Sequence, residues 1–577
     1  MLDANFADSI RRNAADHGSE PAITFISDFD AADGRMSLSY AELDDRARTV
    51  AAALLERCAP GDRALLLYPE GLDFTVAFIG CLYAGVVAVP SPLPGQYQHH
   101  QRRVTAIAAD AQVSVVLTDS RSMDGVGSWA ETAGRRADEV LVTDRLEATP
   151  LDVATLPRLD CGSLALLQYT SGSTGDPKGV VLTHGNLLHN ADIVWRSFAL
   201  DETSRFGSWI PHYHDMGLMG IILPPLAKGT SCVLMSPSSF IKRPHWWLRM
   251  IDEFDITISA GPNFAYELCS RSVTDEQMAK LDLSRWKYAC NGSEPVQAAT
   301  LAAFAKRFAP AGLRAETLAP CYGMAEATVF VSSSVRREPV VRRFDDALLS
   351  DGALVPVDDA RAGRELVSCG LPADFDLRIV EPATGQDVPP GRIGEIWLRG
   401  PSIGHGYWQK PEVNERTFQA DGGFLRTGDL GAVLDDELYV TGRIKEMLIL
   451  RGRNLYPQDI EYEVRSLHPE LQNLFGAAFT VPARDENGLE EELLVLVHEL
   501  RGRPGEEELE RLSASIRRSV FTGFGAHLAG LVLVRRGAVP RTTSGKIQRL
   551  QMRDMFRAQA LQPLFAKLDR RLEQAVS

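Results

Sequence analysis

Nowhere in the 577 residues does an apolar stretch reach the roughly eighteen uninterrupted residues that a membrane-crossing helix needs. The opening segment, MLDANFADSIRRNAADHGSE, carries acids where a secretory leader would need a basic and then an apolar run. Both absences predict a cytoplasmic chain with no integral membrane association. Cysteine is sparse and dispersed: the 8 thiols (Cys58, Cys81, Cys161, Cys232, Cys269, Cys290, Cys321 and Cys369) include no Cys-x-x-Cys, so neither a zinc ribbon nor a disulfide framework is expected. Positive charge is in deficit as well. The 61 Lys plus Arg face 76 Asp plus Glu, a net charge of −15, which argues against nucleic-acid binding through an overall basic surface. No internal repeat or low-complexity linker interrupts the chain.

What is present is enough apolar residue, 45%, to build sizeable cores, in a chain long enough for two or more domains. The first half alternates helical spacing (SYAELDDRARTVAAALLERC, GLDFTVAFIGCLYAG) with short apolar runs (DRALLLYP, VVAVP, VSVVLT, LALLQYT, SCVLMS, ITISAGP, LAPCYG). That grammar predicts an α/β fold with a largely parallel sheet, whose strand ends should carry the chemistry. From about residue 366 the runs DLRIV, GEIWLRG and ELYVTGR, separated by turn residues, predict an antiparallel, β-rich subdomain. A small α+β unit is expected after Lys445, with strands LFGAAFTVP and ELLVLVHEL, a helix EEELERLSASIRRSV and a terminal helical stretch. The expected division is 1–444 and 445–577.

The segment Tyr169-Thr170-Ser171-Gly172-Ser173-Thr174-Gly175-Asp176-Pro177-Lys178-Gly179 follows a predicted strand and combines glycines, hydroxyls and one lysine. Backbone N–H groups, hydroxyls and an ammonium can converge there on a polyphosphate. It is not a Walker A loop, because Pro177 precedes the lysine and Gly179 follows it. Further on, His212-Tyr213-His214-Asp215 could be a metal cluster or a pair of hydrogen-bonded structural histidines.

This ordered series resembles the adenylate-forming superfamily of acyl-CoA synthetases, luciferases and nonribosomal adenylation domains, which join a carboxylate to AMP and pass the acyl group to a thiol. The resemblance implies ATP and Mg²⁺ as cofactors and assigns roles by position. Thr170, Ser171, Gly172, Ser173, Thr174, Gly175 and Lys178 would cradle phosphates, and His214 would gate the acyl carboxylate. Asn291, Gly292, Ser293 and Glu294 would wall the adenine pocket, with Tyr322, Gly323 and Met324 opposite. Glu326 would ligate Mg²⁺, Asp429 would hold the ribose, Arg443 would meet ribose or α-phosphate, Lys445 would be the hinge and Lys546 would bridge carboxylate and α-phosphate. Many members carry threonine immediately before the metal-binding glutamate; this chain has Ala325.

Within the superfamily, PHYHDMGL, YGMAEAT and RGRNLYPQDIE are similar to the fatty acyl-AMP ligases, as is the long connection between Glu326 and Gly370, where an insertion near 333–365 is expected. In that family such an insertion accompanies poor use of CoA. The resemblance thus implies a fatty acid substrate and, as acceptor, the phosphopantetheine of a separate acyl carrier protein. A fatty acyl-CoA ligase and a non-catalytic nucleotide-binding scaffold are the alternatives. Finally, residues 511–577 hold 13 Lys/Arg against 3 Asp/Glu. This stretch, including Arg511, Arg517, Arg518, Arg535 and Arg536, is either a solvated face beside Glu506, Glu507 and Glu508 or a docking surface for an acidic partner.

Overall fold

The computed structural model describes all residues except 1–3, 96–97, 171–176, 359–362, 451–452, 485–489, 543–544 and 577. Two sheets dominate the first 330 residues. A six-stranded sheet has the order Val140–Val142, Val115–Thr118, Arg63–Leu67, Val87–Ser91, Leu164–Thr170, Lys178–Thr183. It is parallel except for the last pair, where Tyr169 faces Gly179 and Thr170 faces Lys178. An eight-stranded sheet runs Phe330–Ser333, Leu318–Gly323, Tyr288–Asn291, Ile258–Gly261, Phe206–Ser208, Cys232–Met235, Pro21–Ile26, Arg35–Ser39, parallel within and antiparallel at both edges.

Local sequence explains the packing. The helix Asp73–Ala84 is apolar all round and buried from Phe74 to Ala84, so it sits inside the core and stops at Gly85, whose φ of 66° is left-handed. The helix Tyr40–Leu55 starts at a reciprocal Ser39/Glu42 capping box and lays its buried side along Asp73–Ala84.

A four-stranded antiparallel sheet (Asp376–Val380, Gly394–Arg399, Leu425–Leu434, Glu437–Arg443) follows. The segment expected as an insertion folds onto it: Val341–Phe344 pairs with Arg364–Val367, and Phe344, Leu349 and Leu354 pack against Ala432 and Tyr439. The last sheet (Gly476–Arg484, Glu490–Leu500, Leu528–Arg535, Pro563–Leu568) has both faces covered, as its continuous apolar runs require. Leu494, Leu496, Leu531 and Leu533 meet the helices Pro457–Leu467 and Glu506–Phe524; Val495, Val497, Val532 and Val534 meet Met552, Phe556 and Leu572 on the other side.

The terminal stretch differs from the helical expectation. Pro563–Leu568 is an edge strand, antiparallel to Leu528–Arg535, between the helices Arg549–Arg557 and Arg570–Val576. An open edge of N–H and C=O groups captures it, and Pro563, which has no N–H to offer, stands at its first position. Among the described residues, no helix is long and apolar enough to cross a membrane.

Candidate active site

Adjacent parallel strands end at Asn291 and Gly323, so their following loops reach one cleft. Asn291 itself turns inward: it is buried, and its Nδ2 donates to Asn263 Oδ1 at 3.3 Å. The cleft therefore receives the backbone beyond it, where Ser293 adopts φ 67° and donates to Met216 Sδ at 3.4 Å. Glu294 is held back by the Phe264 N–H at 2.6 Å, and burial raises its pKa. Gly323 admits no side chain, since a Cβ would stand 1.9 Å from the Val329 carbonyl oxygen. Met324 is buried beside it.

Tyr322, Asp429 and Arg443 form a connected group. Asp429 and Arg443 are cross-strand partners, with Arg443 Nε 2.8 Å from Asp429 Oδ1, and the Tyr322 hydroxyl donates to Asp429 Oδ2 at 2.8 Å. Asp429 raises the pKa of Arg443, so the guanidinium is a fixed cation at the cleft.

Glu326 sits on a short turn, Ala325–Ala327, followed by Thr328 at φ 69°. The cost of that backbone is offset by the Thr328 hydroxyl, which donates to the Ser402 carbonyl at 2.7 Å. Residues 404–408 run alongside Lys178–Thr183 through an isolated antiparallel bridge of Tyr407 to Val180: the His405 N–H reaches Val181 O at 2.9 Å and the Trp408 N–H reaches Gly179 O at 2.8 Å. This places Tyr407 between two expected site residues. Its hydroxyl donates to Glu326 Oε1 at 2.7 Å, and its ring centroid lies 5.2 Å from Lys178 Nζ.

Thr170 is half-buried at the end of its strand, and the neighbouring Tyr169 donates to Asp110, which also receives Lys410 at 2.8 Å. Ser171, Gly172, Ser173, Thr174 and Gly175 lie outside the described residues.

Lys546 enters from the distant C-terminal region. Its turn is closed by Thr542 N–H to Lys546 O at 2.7 Å and needs Gly545 at φ 89°. A Cβ on Gly545 would lie 3.9 Å from Phe264, so the turn abuts the large body of the chain. Burial and then the Arg443 charge lower the pKa of Lys546, while Asp215, Asp429 and Glu294 pull it up. Of these three carboxylates Asp215 pulls hardest on that ammonium. Burial works against its charge, but His214, with Nδ1 2.5 Å from Oδ1, and Lys546 together bring its pKa down to about 2. His212 is different: it is buried, its ring centroid lies 4.0 Å from that of Phe74, and burial lowers its pKa to about 3, so it is neutral and structural. Among the described residues no three His, Cys, Asp or Glu side chains are placed to hold a metal ion by themselves.

Behind Asp215, Met216, Ser293 and Tyr322 opens an apolar cavity lined by Val194, Phe198, Ile221, Ile258, Val329 and Phe330. Gly220 and Ile221 reach its wall because Leu218–Ile222 is wound as a π-helical turn. A charged mouth over an apolar pocket is the form of a site for an amphipathic acid.

The AMP-binding enzyme profile matches residues 10–408. The chain belongs to the AMP-binding enzyme family. Among its relatives, the medium-chain-fatty-acid–[acyl-carrier-protein] ligase JamA of Moorena producens (strain JHB) is 41% identical, over 90% of each chain. The 4-hydroxyphenylalkanoate adenylyltransferase of Mycobacterium tuberculosis is 37% identical, over 95% of this chain and 91% of that one. A solved structure from a study of fatty acyl-adenylate ligases from E. coli and L. pneumophila superimposes with a TM-score of 0.86 at 32% identity, covering 97% of this chain and 99% of the other.

Two residues of this AMP-binding enzyme's cleft escaped sequence reasoning. In the sequence Asp215 is only the neighbour of His214, and Tyr407 stands in no motif considered above; the Gly-His-Gly-Tyr-Trp run at 404–408 is the available signal. Lys445 lies just beyond the strand Glu437–Arg443. Among the described residues two ion pairs cross to the C-terminal unit: Arg364 to Asp459 at 2.6 Å, with the same guanidinium 5.4 Å from the centroid of the Phe524 ring, and Arg465 to Glu267 at 3.3 Å.

Proposed function

We propose that this enzyme is a fatty acyl-AMP ligase, which activates a fatty acid with ATP and hands the acyl group to the phosphopantetheine thiol of a separate acyl carrier protein. The observation that carries the reading is the delivery of Lys546 into a cleft that joins Asp429 and Arg443 to an apolar cavity. Two anions must meet for adenylation, a carboxylate and the α-phosphate, and the barrier falls when fixed cations screen both. Lys546 bridges them, Arg443 and Lys178 neutralise phosphate charge, and Asp429 accepts the ribose hydroxyls once Arg443 turns to phosphate. Tyr322, Gly323 and Met324 face the adenine across the backbone of Asn291, Gly292, Ser293 and Glu294. The phosphate loop 170–175 completes the cradle, and His214 gates the carboxylate.

The carboxylate oxygen bonds to the α-phosphorus, the bond to the bridging oxygen breaks and pyrophosphate leaves. No general base is required, because the acid is already ionised at neutral pH. Glu326 is the residue suited to Mg²⁺: a single carboxylate, oriented by Tyr407 beside Lys178, is enough where phosphates supply the other oxygens. Bound there, the ion would neutralise charge on the phosphates. In the second step the thiol attacks the acyl carbon and AMP leaves, which requires Lys546 to withdraw. The small body 445–577 turning about Lys445 on the large body 1–444 serves that purpose. A non-catalytic scaffold fits less well, since Lys178, Glu326, Asp429, Arg443 and Lys546 are all present.

The test is a split reaction with ATP, Mg²⁺ and fatty acids of increasing length, resolving acyl-adenylate from thioester with CoA or a holo acyl carrier protein as acceptor. Adenylate that persists with CoA and is discharged by the carrier is the expected result. Rapid acyl-CoA formation would make the enzyme a CoA ligase.

A further inference from the structure

The basic C-terminal stretch divides into two classes of cation. Several are spent internally. Arg549 binds Glu461 and Glu446, Arg571 and Lys567 pair with Glu491 and Glu510, and Arg517 donates to the backbone carbonyls of Leu528 and Lys567. Arg517 is therefore structural and leaves the group that charge alone suggested. Arg511 and Arg518 are exposed, and no acidic partner reaches them among the described residues. Both lie on the helix Glu506–Phe524, two turns apart on one stripe. The same side carries Phe521, 62% exposed, more than any other large apolar side chain among the described residues. Leu467, 55% exposed, borders this face, because the next residue, His468, meets Ser515 of the helix at 3.1 Å.

We infer that this face, Arg511, Arg518 and Phe521 with Leu467 at its rim, is the docking surface for an acidic carrier domain; the inference rests on the acceptor proposed above. Two exposed arginines that form no ion pair among the described residues, beside one exposed aromatic, have the composition of a transient interface, with charge steering the encounter and the ring anchoring it. The chain as a whole carries −15 and repels an acidic partner, so a carrier must find a local positive face. The location also suits delivery. One turn beyond Phe521, Phe524 lies under the Arg364 guanidinium at the seam between the small unit and the large body, the seam that opens when the small unit turns.

The test compares the wild type with Arg511→Glu/Arg518→Glu and with Phe521→Ala in three assays: hydroxylamine-trapped adenylate, transfer to free pantetheine, and transfer to a stand-alone holo acyl carrier protein of net negative charge. Adenylate and pantetheine transfer, which double as folding controls, stay within about twofold. Carrier loading falls about tenfold or more in kcat/KM for the charge reversal, with a flattened salt dependence, and falls several-fold for Phe521→Ala. Reversing acidic residues on the carrier restores part of the loss. If the wild type loads the carrier and both variants load it equally well, the surface is wrong and the acceptor right. If the three assays fall together, the surface is likewise wrong. If the wild type forms adenylate and discharges it only to CoA, the acceptor reading fails and the surface with it.

Discussion

The Lys546 ammonium feels three carboxylates and a guanidinium at once, and its protonation decides whether it can bridge anions. Burial and Arg443 lower the pKa of Lys546, so it loses its proton earlier, as pH rises, than the ordinary lysine value of about 10.4. The alkaline limb of kcat/KM for adenylation is therefore expected below that value. Lys546→Arg should move the limb upward at a reduced rate, and Lys546→Ala should abolish adenylation while ATP binding survives. An identical alkaline limb in the arginine variant would remove this group from the profile. Tyr407 offers a second residue-level test. Tyr407→Phe keeps the ring over Lys178 and deletes only the hydroxyl that orients Glu326. A hydrogen bond to a charged group is worth about 1.5–3 kcal/mol, so adenylation should fall roughly ten- to a hundredfold with a raised Mg²⁺ requirement. An unaltered Mg²⁺ dependence, measured also as Mn²⁺–ATP binding, would leave Tyr407 a packing residue. The candidate ionic residues were legible in the sequence because each sits in a short, distinctive segment. Tyr407 was not, because its meaning comes from a partner in a different loop.

Among the elements, the π-helical turn Leu218–Ile222 is the one whose geometry shapes the cavity wall. The Leu223 N–H closes it on the Leu218 carbonyl, and Pro224 and Pro225, which have no N–H, follow at the start of the helix Leu223–Lys228. The widened turn brings Gly220 to the cavity wall, where a Cβ would meet Met216 Cγ at 3.8 Å and Val329 Cγ2 at 3.9 Å. A methyl group fits and a longer side chain intrudes. Gly220→Ala should keep the wild-type range of acids, whereas Gly220→Leu should lose about tenfold in kcat/KM for the longest acids and little for the shortest. A uniform loss across the ladder would mean that Gly220 does not bound the chain. Periodicity predicted helices and buried strands well, since both are local. The edge strand Pro563–Leu568 escaped it, because only a neighbouring open edge makes that segment a strand.

Over the whole molecule, the Arg364–Asp459 and Arg465–Glu267 pairs hold the small unit where Lys546 reaches the cleft. Trapping that arrangement should separate the two half-reactions. With the exposed Cys161 replaced by Ser, Glu267→Cys and Arg465→Cys joined by a short bis-maleimide should still form acyl-adenylate and should fail to transfer it. Equal transfer with and without the bridge would show that the small unit need not turn.

The chemical inventory is already written in the chain: a glycine- and hydroxyl-rich segment before Lys178, one carboxylate at Glu326, another at Asp429, and cations at Arg443 and Lys546. Turn and strand-end signals are written in adjacent residues, so they survive without coordinates. Folding alone brings Asp215 close enough to Lys546 for their charges to act on each other, links Tyr407 to both Glu326 and Lys178, and spends Arg517 on its own sheet while Arg511 and Arg518 stay exposed. Those relations join segments far apart along the chain, and close packing of sheets and helices, rather than any local preference, brings them within reach of one another.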